Sequence, residues 1–172
     1  MSEIIDLYDN ARQIIAQGER RAPIPHGLNK LSVQAWFLNS NGEILLQQRP
    51  HTMAKYADMW GKTGGGAMAG ETSWLACARE CCEEIGITPR IENATLVGTF
   101  KRKNKFFDVW LIEQDVNLAD IIMQPDEVQS VQWATPGRIS EMRAHGQIIP
   151  SSCDGYEILI KYLRRIYPNK FD

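Results

Sequence analysis

Four glutamates and the glycines ahead of them are the residues of this chain with the clearest capacity for chemistry. Glu71, Glu80, Glu83 and Glu84 follow the run Thr63-Gly64-Gly65-Gly66-Ala67-Met68-Ala69-Gly70. A helix advances about 100° per residue, so with Glu80 at zero, Glu84 falls at about 40° and Glu83 at about −60°. The three carboxylates share one face, and Arg79 flanks it beside Glu83. Trp74, Leu75, Ala78, Cys81, Cys82 and Ile85 fall on the opposite arc, an apolar stripe suited to a core. Like charges one turn apart repel, so the acidic face needs a reason. One reading is a solvated acidic surface. The other is a hard-cation site, since oxygen-only donors suit Mg²⁺, Mn²⁺ or Ca²⁺. The glycines favour the second, because they permit close backbone approach and leave amides and carbonyls free beside the carboxylates.

The elements that would hold these residues follow from pattern and punctuation. The spacing predicts a helix from about Glu71 or Thr72 to Ile85, stopped by Gly86. Leu31 to Leu38 and Glu43 to Gln48 read as strands around Asn41-Gly42, a strong hairpin signal. Thr95 to Arg102 and Phe106 to Glu113 read as a second strand pair around Lys103-Asn104-Lys105, and Val128 to Ala134 as a further strand. Thr135-Pro136 offers a capping hydroxyl and a proline at the first helical position. An amphipathic helix is expected from about Gly155 to Ile166. The apolar residues between Ile4 and Ile15 fit either one helix face or two short strands parted by Asp9-Asn10, and periodicity alone does not choose. Strands interleaved with helices over this length indicate a mixed α/β layered domain.

Composition narrows the function classes. The 172 residues carry 19 basic and 21 acidic side chains, a net charge of −2, which argues against a nucleic-acid-binding module with its basic footprint. No strictly apolar run exceeds the five residues Trp74 to Ala78, so no membrane span is expected. Glu3, Asp6 and Asp9 near the start are unlike a signal peptide. Three of the four cysteines, Cys77, Cys81 and Cys82, crowd into one predicted helix with Cys153 apart, a pattern that fits a reducing cytoplasm better than a disulfide framework. Cys77 and Cys81 lack the second pair a zinc site needs. His26, His51 and His145 show no ligand spacing.

The segment Gly65 to Ile87 resembles the Nudix box, Gly-x5-Glu-x7-Arg-Glu-U-x-Glu-Glu-x-Gly-U with U a bulky aliphatic residue. Gly65, Glu71, Arg79, Glu80, Glu83, Glu84 and Gly86 fill every fixed position, and the one departure is Cys81 at the first aliphatic place. Cysteine buries readily as a small hydrophobe, so slightly looser packing is expected there. From Glu3 to Arg49 the chain is similar to the isopentenyl-diphosphate-isomerase-like branch of that family, in which the chain opens with a β-hairpin, here 3–18. Pro125-Asp126-Glu127-Val128 and Trp133 resemble its late acidic loop and following strand. The resemblance implies a single Nudix domain over 1–172, an α/β/α sandwich around a mixed sheet with its box at 65–87. It also implies a hydrolase that uses Mg²⁺ or Mn²⁺ to cleave nucleoside diphosphates linked to another moiety, or related diphosphates.

Carried over position by position, the resemblance makes Glu80 and Glu84 metal ligands, and Glu83 a ligand or the group orienting water. The Gly64 carbonyl completes the set, and Arg79 holds Glu83. Glu71 is expected to fix the loop. Glu127 is the candidate outside the box for a further ligand or general base, against the plainer reading of an exposed loop carboxylate. Arg49 and Lys62 are candidates for phosphate contact, and Trp60 for stacking on a base or for simple packing. The expected partner is a small diphosphate, with neither nucleic acid nor membrane, and the oligomeric state stays open between monomer and homodimer. Two alternatives compete. An isomerase of this branch would carry a cysteine in the loop after Trp60, and none lies between Trp60 and Glu71. A nucleotide-sensing module without catalysis would ordinarily show a degraded box.

Overall fold

The computed structural model describes residues 3–171. Residues at the ambiguous start form two strands, β1 (Ile4–Tyr8) and β2 (Ile14–Glu19), paired antiparallel. Asp9 makes their turn by accepting from the amides of Ala11 and Gln13 through its carboxylate, a local side-chain turn that a helix would forbid. Then follow β3 (Lys30–Leu38), β4 (Ile44–Gln48), β5 (Trp60–Gly61), α1 (Ser73–Ile85), β6 (Ala94–Arg102), β7 (Lys105–Glu113), β8 (Ser130–Ala134), α2 (Pro136–Ala144) and α3 (Pro150–Ile166).

The main sheet runs β5-β4-β3-β7-β6, with β8 also paired to β4. β3 and β7 are parallel and in register along their whole length, from Lys30 beside Lys105 to Leu38 beside Glu113, while the other pairs are antiparallel. The sheet is therefore mixed, and β3 at its centre is buried on both faces. Val33, Ala35 and Phe37 join Ala76, Cys77, Cys81 and Ile85 of α1 in one core. Trp36 and Leu38 join Tyr156, Leu159 and Leu163 of α3 and Ile139 and Met142 of α2 in the other. This is the expected α/β/α sandwich. Full burial of each such Leu or Ile side chain contributes about 1.5–3 kcal/mol, so the two cores clamp β3 from both sides.

Three local expectations are corrected. Asn41-Gly42 does make a turn, with Gly42 at φ 81°, but β3 and β4 then pair only at Leu38 and Ile44. β4 leaves β3 because β8 and β5 take up its hydrogen bonds. Helix α3 begins at Pro150, before Gly155, with proline in its first turn and no side-chain cap to advertise the start. Gly155 lies inside it, where any Cβ would overlap the buried Gln34 amide.

The third concerns α1. Its ends match expectation: the Thr72 hydroxyl accepts from the Leu75 amide, and Gly86 stops it at φ 68°. Its faces do not. Leu75 is 55% exposed and Cys82 is exposed, whereas Glu80 and Glu84 are only 6% and 8% exposed. The buried arc is centred on Ala76, Cys77, Glu80, Cys81 and Glu84, so the helix turns two of its carboxylates inward.

Candidate active site

Burial of Glu80 and Glu84 requires polar partners, because an unpaired carboxylate in the interior is strongly disfavoured. Glu84 Oε2 accepts from the Gly64 amide at 2.9 Å and from Gln47 Nε2 at 2.9 Å. Gln47 on β4 is itself held by the Thr63 hydroxyl, which donates to its Oε1 at 2.9 Å. Lys62 Nζ donates to the Gly64 carbonyl at 2.7 Å, and its charge lies close enough to Glu84 and Glu80 to attract both. Burial still dominates: it pushes the Glu84 carboxyl up to about 7, against the pull of Lys62, and raises Glu80 as well. It also lowers the Lys62 ammonium.

Arg79 organises the remaining acids. Its Nε and Nη2 donate to the two oxygens of Glu71 at 2.7 and 3.0 Å, and Nη1 reaches Glu80 and Glu83 at 2.9 Å each. A further bond from Nη2 to the Gly66 carbonyl ties the helix to the glycine loop. The Glu71 hydrogen bond is the main cause that raises the Arg79 guanidinium above its ordinary value. Glu71 also accepts from the Met68 amide, so it closes the loop on itself. Its own carboxyl is held below the ordinary range, chiefly by Arg79.

The glycines are sterically required at two points. Gly64 has φ 131°, and a Cβ there would stand 2.4 Å from the Val33 carbonyl. At Gly65 a Cβ would stand 2.6 Å from the Glu80 carboxylate. The loop thus presses its backbone against β3 on one side and the acids on the other.

Part of this network lines one cavity of about 440 Å³. Around it the structure brings together Arg49, Gly64, Arg79, Glu80, Glu83, Glu84 and Glu127. Glu127 arrives from a distant loop because the amides of Ile122 and Gln124 bond the carbonyls of Ile85 and Glu84 at the end of α1. Lys62 does not line this cavity and lines a second one instead. Trp60 lies in neither, and packs against the α2–α3 core. Sequence reading missed Gln47, which anchors Glu84 without any local signal. It also missed Glu3 and Arg20, delivered to the cavity by the first hairpin and paired at 2.6 Å.

The donor set fits a hard divalent cation: carboxylates of Glu80, Glu83 and Glu84 and the Gly64 carbonyl are all oxygen. Two of these carboxylates are held in the interior with their ionised forms disfavoured, which a bound cation would reverse. Among the described residues, however, no three acidic, histidine or cysteine side chains are grouped as a metal cluster. Arg79 holds oxygens of Glu80 and Glu83, and Lys62 holds the Gly64 carbonyl, so a cation would compete with both for this donor set.

A family model described as the NUDIX domain matches residues 28–151. An uncharacterised Nudix hydrolase of Listeria innocua is 32% identical over 150 residues, covering 84% of this chain and 87% of its own length. An isopentenyl-diphosphate Delta-isomerase of Streptomyces coelicolor is 26% identical over 152 residues, covering 82% of this chain and 75% of its own. The crystal structure of DR0079 from Deinococcus radiodurans shares the fold, with a TM-score of 0.69 at 22% identity, covering 85% of this chain and 91% of that one.

Proposed function

The chain belongs to the Nudix hydrolase family, and from that premise we propose that it cleaves a phosphoanhydride bond of a nucleoside diphosphate linked to another moiety, or of a related diphosphate, with Mg²⁺ or Mn²⁺. The observation that carries this reading is the convergence of Glu80, Glu83, Glu84 and Glu127 with the Gly64 loop on one cavity that also holds Arg49 and Arg20. Acids supply cation ligands and proton acceptors there, and the arginines supply complementary charge for phosphate oxygens.

Glu80, Glu84, Glu83 and the Gly64 carbonyl would hold the cation, which supplies charge neutralisation on the diphosphate and lowers the pKa of water. Gln47 and the Gly64 amide fix the Glu84 carboxylate in place. Arg79 orients Glu83 and Glu80 together. Glu83 is half exposed at the cavity wall, and in this reading it orients the attacking water. Glu127 lines the same cavity from the loop and is the candidate to accept the water's proton. Arg49 meets the phosphates.

Hydrolysis is favoured over isomerisation because none of the four cysteines lines this cavity and the loop from Trp60 to Glu71 holds none. Hydrolysis is favoured over sensing because every acid of the box is present. The first hairpin belongs to the same functional unit, since Asp6 Oδ2 accepts from the Gly70 amide at 2.7 Å and Glu3 and Arg20 line the site. The crowding of Cys77, Cys81 and Cys82 on α1 supports a reducing, cytoplasmic setting, and among the described residues no helix is long and apolar enough to cross a membrane.

The test is a screen of nucleotide sugars, dinucleotides, coenzyme A, nucleoside di- and triphosphates and prenyl diphosphates with Mg²⁺ and Mn²⁺, products identified by mass. Metal-dependent cleavage of at least one is expected. No turnover of any, with isopentenyl diphosphate isomerised instead, would end the hydrolase reading.

A further inference from the structure

On the other side of the glycine loop lies a second cavity of about 190 Å³. Arg20, Lys30, Lys62 and Lys105 line it, and no acidic residue does. It adjoins the acidic cavity, for Arg20, Gly64 and Gly65 are walls of both. The sequence gives little warning of the cluster, since its four cations come from four separate stretches of the chain and the whole chain is nearly neutral.

The fold forces two of these cations together. Lys30 and Lys105 are direct neighbours at the head of the parallel β3–β7 pair. Like charges placed opposite one another across strands are destabilising, and neither lysine has an ion-pair partner among the described residues. Lys105 lies beside the Phe107 ring, its ammonium 5.4 Å from the centroid. Burial, then repulsion from Lys30, Lys62 and Arg20, pushes its pKa down to about 8. A fold that retains uncompensated, half-buried like charges at the edge of an active site is set up to receive an anion.

The size and lining say which part of a substrate fits. Cavities that enclose whole organic ligands run to about 300–1,000 Å³, so this one suits a phosphate group and not a nucleoside. Its aromatic wall, Phe107, is already stacked on Phe100 at 4.7 Å between centroids and 7° between planes, leaving no free platform for a base. Ser151 and the backbone of Gly65 and Gly66 complete its polar lining, while the Gly64 amide is already committed to Glu84.

We propose that the Arg20–Lys30–Lys62–Lys105 cavity is a phosphate subsite, and that the substrate is a phosphoanhydride bearing at least one further phosphate beyond the pair bridged at the acidic cavity. This rests on the hydrolase reading of that cavity. The shared chemistry is a phosphate, which the substrate itself or free inorganic phosphate can supply, and the experiment separates them.

Binding of inorganic tripolyphosphate and of inorganic phosphate to the full chain is measured by titration calorimetry and thermal shift, without turnover, for wild type, Lys30→Met and Lys105→Met. Each lysine lost is expected to weaken tripolyphosphate about 10- to 100-fold. Without anion, both variants are expected to melt higher than wild type, a gain that a merely structural lysine would not give. In turnover with Mg²⁺, KM for ATP should rise at least about tenfold in the variants, while KM for ADP-glucose changes less than about threefold. Equal binding of tripolyphosphate by all three proteins overturns the subsite. Turnover of ADP-glucose with none of ATP overturns the substrate class and leaves hydrolysis standing. Inorganic phosphate binding as tightly as tripolyphosphate, with unchanged KM for ATP, assigns the cavity to free phosphate and also overturns it. Lysine-dependent binding with no hydrolysis of anything keeps the subsite and removes the hydrolase.

Discussion

Replacing Glu84 with glutamine in metal-free protein should make the protein more stable at pH 8, and the size of the gain follows from where the carboxylate sits. Glu84 is buried and its pKa is raised from 4.5 to about 7. Between those two values the folded state keeps a proton that the unfolded state has released, so stability falls as pH rises through this window. Below about pH 4.5 both states are protonated and the penalty vanishes, and above about pH 7 it is complete. Each tenfold change in the ionisation equilibrium is worth about 1.4 kcal/mol, which puts the full penalty on the order of 3 kcal/mol. Glutamine keeps an oxygen to accept from the Gly64 amide and Gln47. It also leaves Lys62 with Glu80 as its remaining nearby carboxylate, which takes back part of the gain. A net gain of about 2 kcal/mol, or about 4–8 °C in Tm, is therefore expected at pH 8 and almost none at pH 4.5. Differential scanning calorimetry across this range in a chelating buffer measures it. Mg²⁺ should raise the Tm of wild type at pH 8 and leave Glu84→Gln nearly unmoved. A variant less stable than wild type at pH 8 without metal would refute the reasoning.

Glu83→Gln should lower kcat by about 10²–10⁴-fold, the range of a positioned acid–base group, with little change in KM, as steady-state kinetics would read. For Glu127→Gln the same assay should show a loss of at least about two decades, with stability within about 0.5 kcal/mol of wild type by denaturant melt. Activity within a few-fold of wild type would leave the loop as a cover only. Arg79→Ala strips the hydrogen bonds from Glu71, Glu80, Glu83 and Gly66 and should cost about 3–5 kcal/mol in the same melt, because it leaves partly buried carboxylates unpaired. Arg79→Lys should recover only part of this, since an ammonium cannot reproduce the forked contact with both Glu71 oxygens.

What the sequence disclosed and what it withheld divide along the distance over which each signal acts. Thr72, Gly86, Thr135-Pro136 and the Lys103 turn state their roles within a few residues, and those element ends lie where local chemistry puts them. The box acids are legible because their spacing is a pattern along one helix. The orientation of that helix was not. Polarity alone assigns Leu75 inward and Glu80 and Glu84 outward, and the reverse holds because Gln47, Lys62 and the Gly64 amide, all from other elements, meet the acids inside. For Trp60, nearness to the glycines in the chain allows either stacking on a base or packing, and the choice depends on β5 pairing with β4, which sets the ring against the α2–α3 core. The Lys30–Lys105 pair depends on a parallel register between strands 75 residues apart, which no local pattern announces.

The most direct measurement is hydrolysis in water enriched in heavy oxygen, with products followed by mass spectrometry for any diphosphate the protein turns over. One heavy oxygen should enter a single phosphorylated product, only when Mg²⁺ or Mn²⁺ is present, and the label should be lost along with turnover in Glu83→Gln. Turnover that leaves every product unlabelled, or that persists unchanged in a chelating buffer, would contradict metal-dependent attack of water on a phosphoanhydride.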